Sequence, residues 1–175
     1  HRDELGLEIE QLPPSRKRRQ EAVSHPVAAA LYNRAFSQVV AGDAGGVVSV
    51  YDCIKGGRVF SFSEAHGTSK ISAMAFDNSG RRLLTGAQDG TLYMWNFNNG
   101  SRLNEYKGFG PAEITCCAYI EDGHNRYVAA AGWNRAVCVW HDTGAAVELL
   151  QHRMDAYTDD IICMAFCAPN VIATG

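Results

Sequence analysis

Short apolar runs separated by turn-forming residues recur along most of the chain. A first set of such runs lies at 27–32, 71–76, 114–119 and 161–166, and a second set at 58–62 and 102–106, with a weaker counterpart at 147–150. The first set is bounded by Gly, Asn, Asp or Pro, and its members do not follow the 3.6-residue period of a helix. The pattern therefore predicts many short β-strands and an all-β fold.

The predicted strands repeat with a nearly constant period. A small residue ends one strand of each unit at Gly42, Gly86, Ala131 and Gly175, which gives intervals of 44, 45 and 44 residues. Four strands in about 40–45 residues are typical of a propeller blade. We therefore expect blades at about 23–62, 66–106 and 112–150, a partial blade at 158–175, and a linker or a strand of a preceding blade at 1–22.

Motifs in these units resemble those of the WD-repeat β-propeller family over roughly residues 23–175. The Trp-Asp dipeptide of that family is present in altered form as Tyr51-Asp52, Trp95-Asn96 and Trp140-His141, and its Gly-His element as Ala65-His66 and Ser24-His25. The resemblance implies a WD-repeat β-propeller with about three complete four-stranded blades plus a partial fourth. Because propellers typically close with 4–8 blades, we expect an incomplete ring, completed by more of a larger protein or by another chain.

A narrower resemblance suggests where such a protein acts. Four segments resemble a subgroup of large WD-repeat proteins associated with motile cilia and sperm flagella, namely residues 30–33, 79–86, 95–100 and 132–135. This resemblance implies a structural component of the axoneme, a cytoskeletal assembly of the cytoplasm, associated with doublet microtubules. Its expected partners are other axonemal subunits, with tubulin nearby.

The second unit contains a complete polar set, His66, Thr85, Asp89 and Trp95. In the WD-repeat family these positions link the Trp indole through the hydroxyl and the imidazole to the carboxylate, so the resemblance implies a structural hydrogen-bond tetrad. A hydrolytic relay of His, Asp and Thr is the alternative, but the spacing repeats a structural template. The other units lack the set, since Ala41 and Ala130 replace the hydroxyl, and they are expected to rely on apolar packing.

One predicted turn between two strands carries Trp133-Asn134-Arg135. An exposed Trp beside Arg is typical of an interface anchor, and Phe109 in the preceding inter-blade loop is a candidate for the same patch. Trp133, Arg135 and Phe109 therefore form a candidate protein-interaction surface. The alternative is a Trp folded over its own turn.

The composition narrows the class of partner. The chain has 175 residues, of which 46% are hydrophobic and 20% charged, with a formal net charge of -3. This composition excludes a wholly disordered chain, and the charge gives no positive field for nucleic acid or for an anionic membrane. The basic cluster Arg16-Lys17-Arg18-Arg19 is either a solvated linker or a nuclear-import or polyanion-binding patch.

Candidate catalytic and metal-binding chemistry is sparse. Cys163 and Cys167 lack zinc-knuckle spacing, and the six cysteines fit packed thiols in a reducing compartment. His152 and the segment 157–160 suggest a metal, but the ligand spacing of known motifs is missing. We therefore expect no metal, no cofactor and no enzymatic activity, and predict a non-catalytic protein–protein interaction scaffold. The alternatives are a nuclear or cytosolic regulatory adaptor that recognises a peptide or modified tail, and an enzyme-associated propeller.

Overall fold

In the computed structural model, the structure describes residues 25–62, 65–144, 146–151, 157–167 and 171–175. The strands are β1 (Val27–Asn33), β2 (Gln38–Asp43), β3 (Val48–Asp52), β4 (Arg58–Phe62), β5 (Ile71–Phe76), β6 (Arg82–Ala87), β7 (Leu92–Asn96), β8 (Arg102–Glu105), β9 (Ile114–Asp122), β10 (Asn125–Gly132), β11 (Val137–Asp142), β12 (Val147–Gln151), β13 (Met164–Cys167) and β14 (Val171–Thr174). The predicted segment 1–22 with its Arg16–Arg19 cluster, Ser24 and His152 lie outside the described residues.

The strands form three four-stranded sheets and one two-stranded sheet. Within each sheet the strands follow chain order, β1 to β4, β5 to β8, β9 to β12, and β13 with β14, and all pairs are antiparallel. Short turns join neighbouring strands, as the Gly- and Asn-rich segments predicted. The prediction of an all-β fold with three four-stranded blades and a partial fourth is confirmed.

The four sheets, called blades 1 to 4 in chain order, pack face to face along the chain. The first strand of each blade contacts the first strand of the next, β1 with β5, β5 with β9 and β9 with β13. Leu83 belongs to the apolar core between blades 1 and 2, whereas its neighbour Leu84 belongs to the core between blades 2 and 3. Because successive residues of a strand point to opposite faces, this central blade is buried on both sides.

The fourth blade departs locally from the predicted strand. The apolar pattern predicted a strand over 161–166, but β13 begins at Met164. The amide of Ile161 instead donates to the carbonyl of Gly132 in blade 3, at 3.3 Å. Hydrophobicity does not distinguish pairing within a blade from a contact to the neighbouring blade. Among the described residues, no helix is long and apolar enough to span a membrane.

Candidate functional site

Blade 2 contains a continuous chain of polar side chains that runs from its core to its surface. The indole Nε1–H of Trp95 donates to Oγ1 of Thr85 at 2.7 Å, and the same oxygen lies 2.7 Å from Nε2 of His66. Nδ1 of His66 lies 2.6 Å from Oγ1 of Thr91, whose hydroxyl donates to Oδ1 of Asp89 at 2.6 Å. The predicted residues are thus brought together, with Thr91 inserted between the imidazole and the carboxylate.

The donor and acceptor capacities of these groups fix the tautomer of His66. The Thr85 oxygen accepts from the Trp95 indole, so its own proton is directed to Nε2 of the imidazole. The Thr91 proton is directed to Asp89, so Nδ1 of His66 must carry the donated hydrogen. Burial lowers the pKa of His66 from 6.5 to about 4, against the opposing effect of the Asp89 charge. The imidazole is therefore neutral at pH 7.

This geometry suits a structural role better than a catalytic one. The Thr85 hydroxyl, the nucleophile in the hydrolytic alternative, is fully buried between its two partners. A substrate carbonyl has no approach to that oxygen. Asp89 is exposed and ends the chain at the surface turn. The sequence did not indicate Thr91, because a Thr two residues after an Asp in a turn is common and carries no recognisable signal.

In blade 3 the indole N–H of the equivalent Trp has a different hydrogen-bond acceptor. Position 130 is Ala, so no side-chain hydroxyl is available there, and the sequence predicted reliance on apolar packing alone. The structure corrects this prediction, because Nε1–H of Trp140 donates to the backbone carbonyl of Lys107 at 2.8 Å. The ring of Trp140 also packs edge-on against Tyr106, with 5.8 Å between centroids. An indole donor that is buried needs an acceptor, and the preceding loop provides it.

A buried carboxylate that the sequence did not indicate links blades 2 and 3. Asp142, at the end of β11, is 1% exposed. Its Oδ2 accepts from the Tyr106 hydroxyl at 2.9 Å and from Nδ2 of Asn104 at 3.1 Å, and its Oδ1 accepts from the amide of Gly144 at 2.8 Å. Three donors offset the cost of removing this charge from water. Burial raises the pKa of Tyr106, and the neighbouring Asp142 raises it further.

The same positions between blades 1 and 2 are aromatic. Phe60 and Asn104 occupy equivalent pairing positions, opposite Val50 and Met94. Phe97 lies two residues after Trp95, as Asp142 lies two residues after Trp140. Phe97 packs against Phe60 and Phe76, with ring centroids 5.8 and 5.1 Å apart. The two blade junctions therefore differ in chemistry, one aromatic and the other hydrogen-bonded, at matching places.

Further polar contacts join successive blades near their first strands. The Ser72 hydroxyl donates to the carbonyl of Ile114 at 2.6 Å, and the Thr115 hydroxyl donates to the carbonyl of Ile161 at 2.6 Å. Lys70 and Glu113 form an ion pair at 2.7 Å, with the Glu113 side chain largely buried. These contacts join blade 2 to blade 3 and blade 3 to the entry of blade 4.

The turn between β10 and β11, called here the Trp133 turn (residues 133–136), lies beside the entry to blade 4. The side chain of Trp133 is 53% exposed and that of Arg135 is exposed. Arg135 has φ of 55°, in the left-handed region, where the equivalent Gly46 and Gly90 have φ of 81°. A side chain in that region costs free energy that glycine does not.

Phe109 does not belong to this exposed patch. The sequence placed it with Trp133 and Arg135, but its side chain is only 4% exposed and lies in the apolar core between blades 2 and 3. Only its backbone reaches the turn, where the Phe109 carbonyl accepts from Nδ2 of Asn134 at 2.9 Å. An aromatic residue in a loop gains more from burial between blades than from exposure. The candidate interaction surface is therefore reduced to Trp133 and Arg135.

No metal-binding group is formed within the part of the chain that the structure describes. No three His, Cys, Asp or Glu side chains converge there, and Asp159 and Asp160 are exposed. No disulfide joins any of the six cysteines, all of which the structure describes. Burial raises the pKa of Cys138 to about 11, which leaves that thiol protonated and unreactive at neutral pH.

The chain is similar to known repeat proteins over most of its length. The family model "WD domain, G-beta repeat" matches residues 56–96 and 100–141. The "WD repeat-containing protein on Y chromosome" of Drosophila pseudoobscura pseudoobscura is 31% identical over 147 residues, and that of Drosophila virilis is 30% identical. Each match covers 79% of this chain but only 13% and 12% of the relative, so the chain spans about an eighth of these curated relatives.

Solved structures show the same fold at low sequence identity. A chain of the "Crystal Structure of Mitotic Checkpoint Complex" is similar with a TM-score of 0.73 and 18% identity, over 88% of this chain and 45% of that one. The computationally designed Ika4 protein is similar with a TM-score of 0.69 and 20% identity, over 89% of this chain and 93% of that one. At these identities the similarity shows the fold alone.

Proposed function

This chain is a WD-repeat protein, and on that premise we propose that its blades serve as a non-catalytic scaffold that binds other proteins through the Trp133 turn. The observation that carries the proposal is the half-exposed indole of Trp133 beside an Arg135 in a left-handed conformation. The backbone hydrogen bond of the turn does not require an indole at position 133, because Ala44 and Gln88 make the same bond in the other blades. A non-glycine residue in the left-handed region, such as Arg135, is a departure from local preference of the kind expected at functional sites.

The support beneath the turn is suited to binding. The Ser72 hydroxyl and the Lys70–Glu113 ion pair connect blade 2 to blade 3, and the Thr115 hydroxyl connects blade 3 to blade 4. A binding side chain that projects from rigid, cross-connected strands loses little entropy when a partner docks. This arrangement supports binding, and it offers no buried cleft with a reachable nucleophile in the part of blade 2 described above.

The more specific proposal is a scaffold of the motile cilium axoneme, associated with doublet microtubules and other axonemal subunits. Its support is the resemblance of four sequence segments to ciliary WD-repeat proteins, and the names of the relatives do not address it. A regulatory adaptor of the nucleus or cytosol is the other candidate. Its motive, the basic cluster Arg16–Arg19, lies outside the described residues.

Binding through the Trp133 turn is tested with the full-length protein isolated together with its partners. Trp133→Ala should lower partner recovery at least about fivefold, as expected for an interface anchor. Leu103→Ala is the matched control, because Leu103 is an exposed apolar residue on the outer strand of blade 2. Both variants should unfold at the midpoint of the wild type. Equal partner recovery from Trp133→Ala and wild type would overturn the proposal.

Location is tested separately. The tagged protein should fractionate with doublet microtubules after membrane and matrix extraction of motile cilia. Exclusive recovery from nuclei would overturn the axonemal proposal and favour the adaptor.

A further inference from the structure

We propose that the Trp133 turn binds a basic side chain of a partner protein, a lysine or arginine that stacks on the indole of Trp133 and pairs with Asp159 and Asp160. This inference rests on the proposed function, because it specifies what the docking surface recognises. The partner segment is expected to carry net positive charge at the point of contact. The occupant is identified by charge complementarity and by the chemistry of an exposed indole.

The backbone of the turn does not require a Trp at position 133. The equivalent residues of blades 1 and 2 are Ala44 and Gln88. All three backbone amides donate to a carbonyl just before the first strand of their own blade, Ala44 to Pro26 at 2.9 Å, Gln88 to Lys70 at 2.9 Å and Trp133 to Glu113 at 3.0 Å. Since a small residue and an amide make the same hydrogen bond, the exposed indole contributes nothing further to this backbone geometry.

Two exposed carboxylates lie in the segment that contacts the Trp133 turn. The amide of Ile161 donates to the carbonyl of Gly132 at 3.3 Å, so the backbones of Asp160 and Trp133, the neighbours of these two residues in sequence, adjoin that hydrogen bond. Asp159 and Asp160 are exposed, and within the described ranges neither forms an ion pair. Asp159 only accepts a long hydrogen bond of 3.5 Å from the Thr158 hydroxyl. These carboxylates are therefore accessible to a partner.

Arg135 fastens this acidic loop to the turn rather than neutralising it. Its guanidinium donates to the backbone carbonyl of Thr158 at 3.3 Å. A carbonyl acceptor leaves the neighbouring carboxylates uncompensated, while the contact holds them beside the indole. This contact accounts for an arginine in the left-handed position that glycine occupies in the other two turns. Arg135 is therefore a positioning residue of the proposed site.

The chemistry of the patch selects a cation. The face of an indole carries partial negative charge and attracts ammonium and guanidinium groups. The exposed charged groups here are one guanidinium and two carboxylates, so an approaching acidic side chain meets net repulsion and a basic one net attraction. An exposed ion pair alone contributes little. A cation held between an indole and two carboxylates gains from both interactions at once.

The test uses the full-length protein and two synthetic peptides of equal length, one with Arg-Lys-Arg and one with Glu-Asp-Glu between identical Gly-Ser flanks. Trp133 is the exposed indole of the three in this chain, since Trp95 and Trp140 are buried. Binding is followed by the difference in indole fluorescence between wild type and Trp133→Phe, and by anisotropy of a dye on the peptide. The basic peptide should bind, and its affinity should fall about tenfold in Asp159→Asn/Asp160→Asn and in Trp133→Ala.

Further variants separate the roles of the residues. Arg135→Gly keeps the turn but releases the acidic loop, so affinity for the basic peptide should fall several-fold while the unfolding midpoint does not. Leu103→Ala should bind the peptide as the wild type does. Preferential binding of the acidic peptide, or no binding of the basic peptide at millimolar concentration, would overturn the inference.

The outcomes also separate this inference from the proposed function. If Trp133→Ala releases the natural partners but Asp159→Asn/Asp160→Asn does not, the turn is a docking surface and the basic partner is wrong. If the basic peptide binds as expected but Trp133→Ala retains all partners, the turn recognises cations and the proposed scaffold function of this turn is wrong.

Discussion

The hydroxyl of Tyr106, the residue that follows the last strand of blade 2, donates a hydrogen bond of 2.9 Å to the buried carboxylate of Asp142 at the end of the third strand of blade 3. The pair lies at the junction of blades 2 and 3, where hydrogen bonds occupy the positions that aromatic side chains fill between blades 1 and 2. Its contribution to stability is directly measurable.

Tyr106→Phe removes one of the three donors to the Asp142 carboxylate and should lower the free energy of unfolding by about 2 kcal/mol. The measurement is the midpoint of urea unfolding. Tyr127→Phe is the matched control, because the Tyr127 ring stacks on His141 and its hydroxyl makes no hydrogen bond within the described residues. A loss from Tyr106→Phe no larger than that of the control would contradict the assigned hydrogen bond.

Replacing all three polar residues of this junction by Phe should lower the free energy of unfolding less than replacing Asp142 alone. Asp142→Phe alone leaves the buried Tyr106 hydroxyl and the partly buried Asn104 amide without their acceptor, which should cost about 3 kcal/mol. The triple variant Asn104→Phe/Tyr106→Phe/Asp142→Phe copies the Phe60–Phe62–Phe97 set of the first junction and should regain at least about 1 kcal/mol. Additive losses in the same urea experiment would show that the three residues do not act together.

The neutral His66 makes stability depend on pH. Its pKa is lowered from 6.5 to about 4 in the folded protein, so the unfolded chain takes up a proton first as the pH falls. The contribution of His66 is complete above about pH 6.5 and is lost as the pH falls toward 4, at roughly 1 kcal/mol per pH unit. Urea midpoints between pH 7.5 and 4.5 should show this slope. His66→Gln should flatten it, whereas His124→Gln, at an exposed site, should leave it intact.

Substitutions in the polar chain of blade 2 should destabilise the protein more, the more deeply the replaced side chain is buried. Thr85→Val leaves the Trp95 indole N–H and Nε2 of His66 without their partner at a fully buried position, which should cost about 2–3 kcal/mol. Thr91→Val removes the acceptor of the Nδ1 hydrogen and an exposed donor to Asp89, and should cost about 1 kcal/mol. Asp89→Ala should cost less than Thr91→Val, because Asp89 is exposed. A larger loss for Asp89→Ala would indicate direct contact of the carboxylate with His66.

Arg135→Gly should stabilise the protein by roughly 1 kcal/mol, since it removes a side chain from the left-handed region at φ of 55°. Gly90→Ala is the opposite control at the equivalent position. It should destabilise the protein, because φ there is 81° and a Cβ would meet the Gly110 carbonyl. Thermal unfolding should show a raised midpoint for Arg135→Gly and a lowered midpoint for Gly90→Ala. A lowered midpoint for Arg135→Gly would show that the Thr158 contact outweighs the backbone strain.

The amino-acid sequence by itself determined the repeat, the strand content and the partners at one end of the polar chain. Strand periodicity and turn residues are local properties. The sequence alone therefore indicates that Leu83 and Leu84 point to opposite faces of a strand and that Gly90 lies in a turn. The spacing of His66, Thr85 and Trp95 follows from the same repeat, because equivalent positions of a repeat occupy equivalent places in space.

Only the tertiary structure decided which polar groups meet between blades. Asp142 and Tyr106 lie 36 residues apart, and no local pattern shows that one donates to the other. The burial of Phe109, the hydrogen bond from Trp140 to Lys107 and the insertion of Thr91 depend on how neighbouring segments approach each other. Burial and hydrogen bonding between blades depend on how whole sheets pack against each other. The local conformational preferences of single residues do not determine that packing.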